Sequence, residues 1–93
     1  MKITINDKTY EVIKYEKDGL DEEVLKEAIT DYFENFDYIV GDWAYGKLRL
    51  KGFNDKSNKN FKPINDIKNV DNYIKKYCAY GCRYFILKVI EKN

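Results

Sequence analysis

The chain has 93 residues, enough for one small domain with a modest core and little more. It contains no histidine, which removes the usual acid–base catalyst at neutral pH. The net charge of +1 hides a division: 5 Lys/Arg against 12 Asp/Glu up to Gly46 give −7, and 12 against 4 from Lys47 onward give +8. Such an asymmetry indicates a charged partner, unless the two halves interleave in the fold and neutralise each other.

The first residues, MKITINDKTY, form no apolar run of the length that a signal peptide needs, and no later stretch is long enough to span a membrane. We therefore expect a cytoplasmic protein without membrane contact. A single domain over residues 1–93 is predicted, because neither an internal repeat nor a linker interrupts the sequence.

The N-terminal third predicts a hairpin followed by a helix. Strands are expected at Lys2–Ile5 and Lys8–Tyr15, with Asn6 and Asp7 in the turn between them because both tolerate positive φ. Asp21 can cap a helix from Glu22 to about Asn35. Apolar residues at helical spacing give this helix one buried stripe: Val24, Leu25, Ala28, Ile29, Tyr32 and Phe33.

A second hairpin is expected from a strand at 38–41, a turn at 42–46 and an alternating strand at 47–53. The polar segment 54–60 is typical of a mobile loop. A second helix is expected behind Asn69, with Gly81 as its terminator, before a near-continuous apolar run, 83–90, that is typical of a central strand. The order β-β-α-β-β-α-β predicts an α+β domain with a mostly antiparallel five-stranded sheet and two helices packed on it.

Two segments resemble a known family. The first is FDYIVGDWAYGKLRLKGF, residues 36–53, and the second is NYIKKYCAYGCRYFILKVI, residues 72–90. Both are similar to the signature blocks of the YutD family of small cytoplasmic bacterial proteins, in the same order, and the resemblance covers roughly residues 20–89. Ala44 and Lys47 stand where the family usually has Gly and often has Gln. The resemblance implies no assigned activity, so no site residue is carried over from it.

Catalytic and metal chemistry find little support in the sequence. Asp37 and Asp42 are the only carboxylates in the first block, and we interpret them as a loop residue and a turn residue that accept hydrogen bonds. Cys78 and Cys82 are interpreted as small buried residues, although a dimer that pooled four cysteines would keep a metal or redox role open. We expect a non-enzymatic protein with no cofactor and no metal.

The best functional candidate is the hairpin from Trp43 to Phe53. Lys47, Arg49 and Lys51 repeat at period two, about 6–7 Å apart along a strand, which suits successive phosphates. Rings at the tip and far end could stack on unpaired bases: Trp43, Tyr45 and Phe53. Lys56, Lys59 and Lys62 would extend the positive surface. This pattern favours a binding or regulatory module for RNA or single-stranded nucleic acid.

The alternative is a protein–protein adaptor. It would use the Trp43 and Tyr45 tip, since exposed Trp, Tyr and Arg dominate interface energetics. The acidic side of the first helix would offer a second contact, either for a basic partner or for another copy of the chain. A monomer or a weak homodimer is compatible with both hypotheses.

Overall fold

The computed structural model describes residues 1–16, 20–77 and 83–92. Its strands form one antiparallel sheet in the order β1-β2-β5-β3-β4. The strands are β1 (Lys2–Ile5), β2 (Lys8–Glu16), β3 (Tyr38–Ala44), β4 (Lys47–Phe53) and β5 (Tyr84–Lys92). The helices are α1 (Glu22–Ala28) and α2 (Val70–Tyr77), with short 3₁₀ turns at Asp31–Phe33, Pro63–Asn65 and Ile67–Asn69. The predicted α+β order is confirmed, and β5 is central, between β2 and β3.

Both hairpins close through two residues with positive φ. Asn6 and Asp7 have φ of 50° and 69°, as the sequence predicts. In the second hairpin β3 continues through Ala44, so only Tyr45 and Gly46 turn, with φ of 55° and 75°. This backbone matches the right-handed twist of the flanking strands. The predicted five-residue turn is therefore three residues too long.

Helix α1 ends at Ala28, well before the expected Asn35. The Asp21 side chain caps its first turn, accepting from the backbone N–H groups of Glu23 and Val24. At the other end, the Asn6 side-chain amide donates to the carbonyls of Lys26 (3.2 Å) and Ile29 (3.0 Å). The turn of the first hairpin thus satisfies carbonyls that a longer helix would have used itself. The buried stripe nevertheless continues across the break, through Leu25, Ile29 and Phe33.

The two helices lie on opposite faces of the sheet. The α1 face holds the larger core, whose fully buried members include Ile5, Tyr10, Leu25, Ile39, Phe85 and Leu87. The α2 face is smaller and is built on Tyr38, Val40, Phe53 and Ile86, with helix residues packed on them. On the α1 face the Phe36 ring lies directly against Gly52, where an added Cβ would come within 2.3 Å of it. This close approach fixes the segment after the first 3₁₀ turn against β4.

The segment after β4 differs from the mobile loop that its composition predicts. Asn54 is fully buried; its N–H donates to the Asn65 carbonyl (2.7 Å) and its own carbonyl accepts from Ile67 N–H (3.1 Å). Its side-chain oxygen accepts from the Asp37 N–H (2.8 Å) and the Asn58 amide (3.1 Å). The asparagines that make the segment look loop-like are therefore the groups that fix its path.

Candidate functional site

The tip of the second hairpin exposes one aromatic ring. Tyr45 is fully exposed, at a left-handed backbone position that bulky residues seldom occupy. Trp43, expected to share the tip, is half-buried within β3, and the Arg83 guanidinium lies 4.4 Å from its ring centroid. A cation over the ring occupies one of its faces. Tyr45 is therefore the open ring of this tip, and Trp43 is partly covered.

Arg49, predicted as an outward cation, is engaged in the fold. Its guanidinium pairs with the buried carboxylate of Asp42, with 3.2 Å between Nε and Oδ1 and a second contact to Oδ2. It also donates to the Tyr77 carbonyl (2.9 Å) in the last turn of α2. The hydrogen bond and the charge of Asp42 raise the pKa of Arg49. Arg49 therefore joins β4 to β3 and α2, and Asp42 serves as its partner and not as a turn residue.

The structure also corrects the prediction that the Phe53 ring is open to an unpaired base. It is buried in the α2-face core, with its ring edge-on to Tyr73 at 5.4 Å between centroids, so no face is open for a base. The Lys51 ammonium lies over these same two rings, 5.4 Å from the Phe53 centroid and 5.7 Å from that of Tyr73. Lys51 is half-buried, whereas Lys47 is exposed next to the tip.

A cleft of about 540 Å³ runs along the outer edge of β4. Within the described sheet β4 pairs only with β3, so the cleft lies on the side that no strand covers. Three separate segments form its walls: Tyr32, Asn35 and Phe36 after α1, Leu50 to Gly52 in β4, and residues 59–62, 64 and 65 of the following segment. We call this feature the edge cleft.

The edge cleft is basic and aromatic. Among the described residues, its wall contains Lys51, Lys59 and Lys62 and no carboxylate, and the Lys51 ammonium lies over the Phe53 and Tyr73 rings. Lys59 and Lys62 form no ion pair with any residue in the described ranges. The rings in the wall are Tyr32, Phe36 and Phe61. Cations beside accessible rings form the combination that single-stranded nucleic acids require.

A second cleft, of about 410 Å³, lies beside the first hairpin turn and has the opposite charge. Its wall contains three acidic residues and one lysine: Asp7, Asp31, Glu34 and Lys8. Asp31 begins the 3₁₀ turn that carries Tyr32 into the edge cleft, and Glu34 follows that turn. The turn thus directs its acids to one cleft and its exposed ring to the other. The charge division of the sequence survives in the fold as two surfaces of opposite sign.

Sequence reasoning missed two of the rings in the edge cleft. The helical spacing predicts Tyr32 in the buried stripe, but its side chain is 72% exposed. Phe61 was not singled out, although a ring enclosed by Lys59 and Lys62 within a polar segment is a signal of a basic–aromatic surface. Of the three lysines that the sequence predicts to extend the positive surface, Lys59 and Lys62 line the edge cleft, and Lys56 is not in its wall.

Comparison with known proteins places the chain among relatives. The family described as "Putative antitoxin YutD-like" matches residues 4–88. The chain is also 46% identical over 90 residues to "Putative antitoxin YutD" of Bacillus subtilis (strain 168), covering 97% of this chain and 99% of the relative. The chain belongs to the YutD-like family. The resemblance drawn from the two sequence blocks is confirmed.

A solved relative supports the fold. The solution NMR structure of protein yutD from B. subtilis superposes with a TM-score of 0.79 at 44% identity, over 99% of this chain and 84% of the other. At this identity the YutD-like fold, and not only its general class, is shared.

Two further features of this YutD-like chain bear on its site. Within the described ranges, no group of three or more Cys, Asp or Glu side chains is arranged to hold a metal ion. Also within those ranges, no helix is long and apolar enough to cross a membrane. Cys78, Gly81 and Cys82, for which the sequence suggested roles, lie outside the described residues.

Proposed function

We propose that this YutD-like protein is a non-enzymatic module that binds single-stranded nucleic acid, RNA in the first place, along the outer edge of β4. The observation that carries the proposal is the edge cleft, whose wall combines three lysines with three aromatic rings and, among the described residues, has no carboxylate. Cations attract the phosphate backbone, and rings accept unpaired bases of any sequence.

The residues around the hairpin then divide into two roles. Tyr45, Lys47 and Lys51 contact the nucleic acid, leading the strand from the hairpin tip towards the edge cleft. Trp43, Arg49 and Phe53 support this surface from within, because each is covered or paired in the fold. The surface inferred from the sequence, including its extension to Lys59 and Lys62, is thereby retained in part.

Binding of labelled single-stranded RNA, measured by fluorescence anisotropy at several salt concentrations, tests the proposal. Affinity should fall with salt, with a log–log slope of about −0.7 per phosphate contacted. Lys59→Gln/Lys62→Gln should weaken binding and reduce that slope. The matched control is Lys2→Gln/Lys8→Gln, which removes two charges from the hairpin at the opposite edge of the sheet. Equal losses in both pairs, or no binding at all, would contradict the proposal.

A protein partner is the second candidate function, favoured by the name of the relative. An antitoxin neutralises a toxin, so a family of this name implies a partner of some kind. The exposed Tyr45 and the acidic side of α1 would provide that contact. Affinity purification of the tagged protein with and without RNase separates the two functions. Loss of co-purifying proteins after RNase supports nucleic-acid binding, and one protein retained at constant stoichiometry supports the adaptor.

A further inference from the structure

We infer that the edge cleft is a pocket for one nucleotide, in which an unpaired base stacks on Tyr32 and Phe61 while Lys59 and Lys62 hold the attached phosphate. The inference rests on the proposed function and makes it more specific. It distinguishes a built site for a base from a basic surface that follows the backbone alone. The consequence is that a free nucleoside monophosphate should bind without the rest of the strand.

The size of the edge cleft suits a ligand of this class. Its volume of about 540 Å³ falls within the range of about 300–1,000 Å³ that small-molecule sites occupy. A surface that only tracks phosphates needs cations but no concave wall. Here the wall is concave and combines apolar and polar groups, as in sites that orient a ligand.

The Tyr32 ring is held in place although most of it is exposed. It meets Phe33 edge-on, with 5.0 Å between ring centroids and an interplanar angle of 87°. It also lies 5.8 Å from Phe36, whose ring is packed on Gly52. Phe33 is buried in the α1-face core. A ring fixed from behind loses little conformational freedom when a base stacks on its open face.

The opposite wall, residues 59–62, is fixed by hydrogen bonds from backbone N–H groups to asparagine side chains. The Asn60 N–H donates to the Asn58 side-chain oxygen (2.7 Å), and the Lys62 N–H donates to that of Asn65 (2.9 Å). Phe61 is therefore held between two anchored residues. In the described part of the chain, the Asn60 side-chain amide has no hydrogen-bond partner. An amide offers both a donor and an acceptor, which is what the edge of a base requires.

The charges of the edge cleft suit an anionic group such as a phosphate better than a neutral or cationic ligand. Lys59 and Lys62 have no described ion-pair partner, so their positive charges are not neutralised locally. The acidic residues of the neighbouring turn line the other cleft. That acidic cleft provides an internal control for charge, because its carboxylates should repel the phosphate of a nucleotide.

The direct test is a titration of the ¹⁵N-labelled protein with nucleoside 5′-monophosphates, followed by amide chemical shifts. Ribose 5-phosphate and the free nucleoside are titrated in parallel. We expect shifts confined to residues 32–36, 50–52 and 59–65, with the monophosphate binding at least about tenfold more tightly than either fragment. Ribose 5-phosphate binding as tightly as the nucleotide, or shifts centred on the acidic cleft, would overturn the inference.

A second test replaces the two aromatic rings of the edge cleft. Phe61→Leu and Tyr32→Leu should each weaken monophosphate binding by about tenfold, which corresponds to the loss of one base–ring stack, while Phe61→Tyr should retain it. Thermal melts of each variant show whether it is folded. If the ring variants fail to fold, Asn60→Ala and Lys59→Gln replace them, and nucleotide affinity unchanged in both would refute the pocket.

Single-stranded RNA measured on the same variants separates this inference from the proposed function. RNA affinity unchanged in Phe61→Leu and Tyr32→Leu, together with no monophosphate binding, refutes the pocket and leaves the basic edge standing. Monophosphate binding without RNA binding retains the pocket and refutes the proposed function. If the protein binds neither the monophosphate nor RNA, the pocket and the proposed function are both refuted.

Discussion

The α2 side of β4 and its outer edge carry the same residue types, cations and aromatic rings, but differ in what contacts them. On the α2 side Arg49 is paired with Asp42, and Phe53 lies beneath α2. At the outer edge Lys59 and Lys62 have no ion pair within the described ranges, and Tyr32 is largely exposed. On the α2 side the charges and rings make contacts within the fold, whereas at the outer edge they face solvent.

The difference shows that the spacing of cations does not identify a binding surface. Lys47, Arg49 and Lys51 alternate regularly in sequence, yet the middle one is paired with the buried carboxylate of Asp42. A buried carboxylate requires a cation nearby, because an unpaired charge in the interior is costly. The partner of each charge decides its role, and the partner is contributed by another element of the fold.

The largest expected effect is on the ring of the α2 side. Phe53→Ala removes a side chain that is 1% exposed and contacts Tyr73, so the free energy of unfolding should fall by about 3–5 kcal/mol. Guanidinium denaturation measures the change. For a domain of this size such a loss also lowers the melting temperature by more than ten degrees, at about 4–8 °C per kcal/mol.

The matched change at the outer edge is Phe61→Leu. Phe61 is half-buried and the substitution keeps an apolar group, so the loss of stability should be below about 1.5 kcal/mol. The two substitutions together test the comparison: Phe53→Ala acts on folding, and Phe61→Leu acts on nucleotide binding. A loss from Phe61→Leu as large as that from Phe53→Ala would show that the edge cleft is part of the core.

The next effect compares two cations of β4. Arg49→Met leaves the Asp42 carboxylate buried without its cation and removes the bond to the Tyr77 carbonyl, so the unfolding midpoint should fall clearly. Lys47→Met removes an exposed lysine and should change stability by no more than about 0.5 kcal/mol. The midpoints of both variants are compared by thermal and guanidinium denaturation.

A double variant distinguishes an unpaired charge from lost packing. Asp42→Leu/Arg49→Met removes both charges and should be more stable than Arg49→Met alone, since no carboxylate remains buried without a partner. If the double variant is less stable than the single one, the cost comes from the shape of the site, and the pair is not held together by its charge.

Much of the fold follows from local sequence. The period-two pattern of residues 47–53 predicts β4 with the bounds that the structure has, and the apolar run before the C-terminus predicts a central strand. The first helix is predicted too long because its end depends on Asn6, which lies about twenty residues earlier in the chain. The periodicity of apolar residues predicts which face of a helix is buried, but it does not predict the residue at which a distant side chain ends the helix.

The edge cleft could be predicted only in part. Its lysines stand out in the sequence, but its wall is assembled from residues between Tyr32 and Asn65 that meet only after folding. The path of the last segment depends on the buried Asn54, a residue type that composition assigns to mobile loops. The ion pair of Asp42 with Arg49 was missed for a related reason: these residues are opposite each other only once the register of β3 and β4 is known.

The smallest expected effect concerns two tyrosines of the α2 side, the half-buried Tyr73 and the buried Tyr38. Burial, and then the charge of Asp42, raises the pKa of Tyr73, while Arg49 acts against them. Above about pH 10 the unfolded chain therefore loses this proton before the folded protein does. A folded state that holds more protons than the unfolded state loses stability as pH rises, from about pH 10 through the raised pKa. The protein should accordingly become less stable in alkali.

Replacing the ionisable group isolates this contribution. Tyr73→Phe should decline less steeply with pH than the parent protein between pH 9 and 11.5 in guanidinium denaturation, because the phenol no longer resists ionisation. Tyr38→Phe should have a similar effect, since burial and then Asp55 raise the pKa of Tyr38 on the same face. If the stability of both variants depends on pH as that of the parent protein does, these tyrosines ionise as readily in the folded protein as in the unfolded chain. The α2 side would then be more accessible to solvent than the packing of Tyr73 against Phe53 indicates.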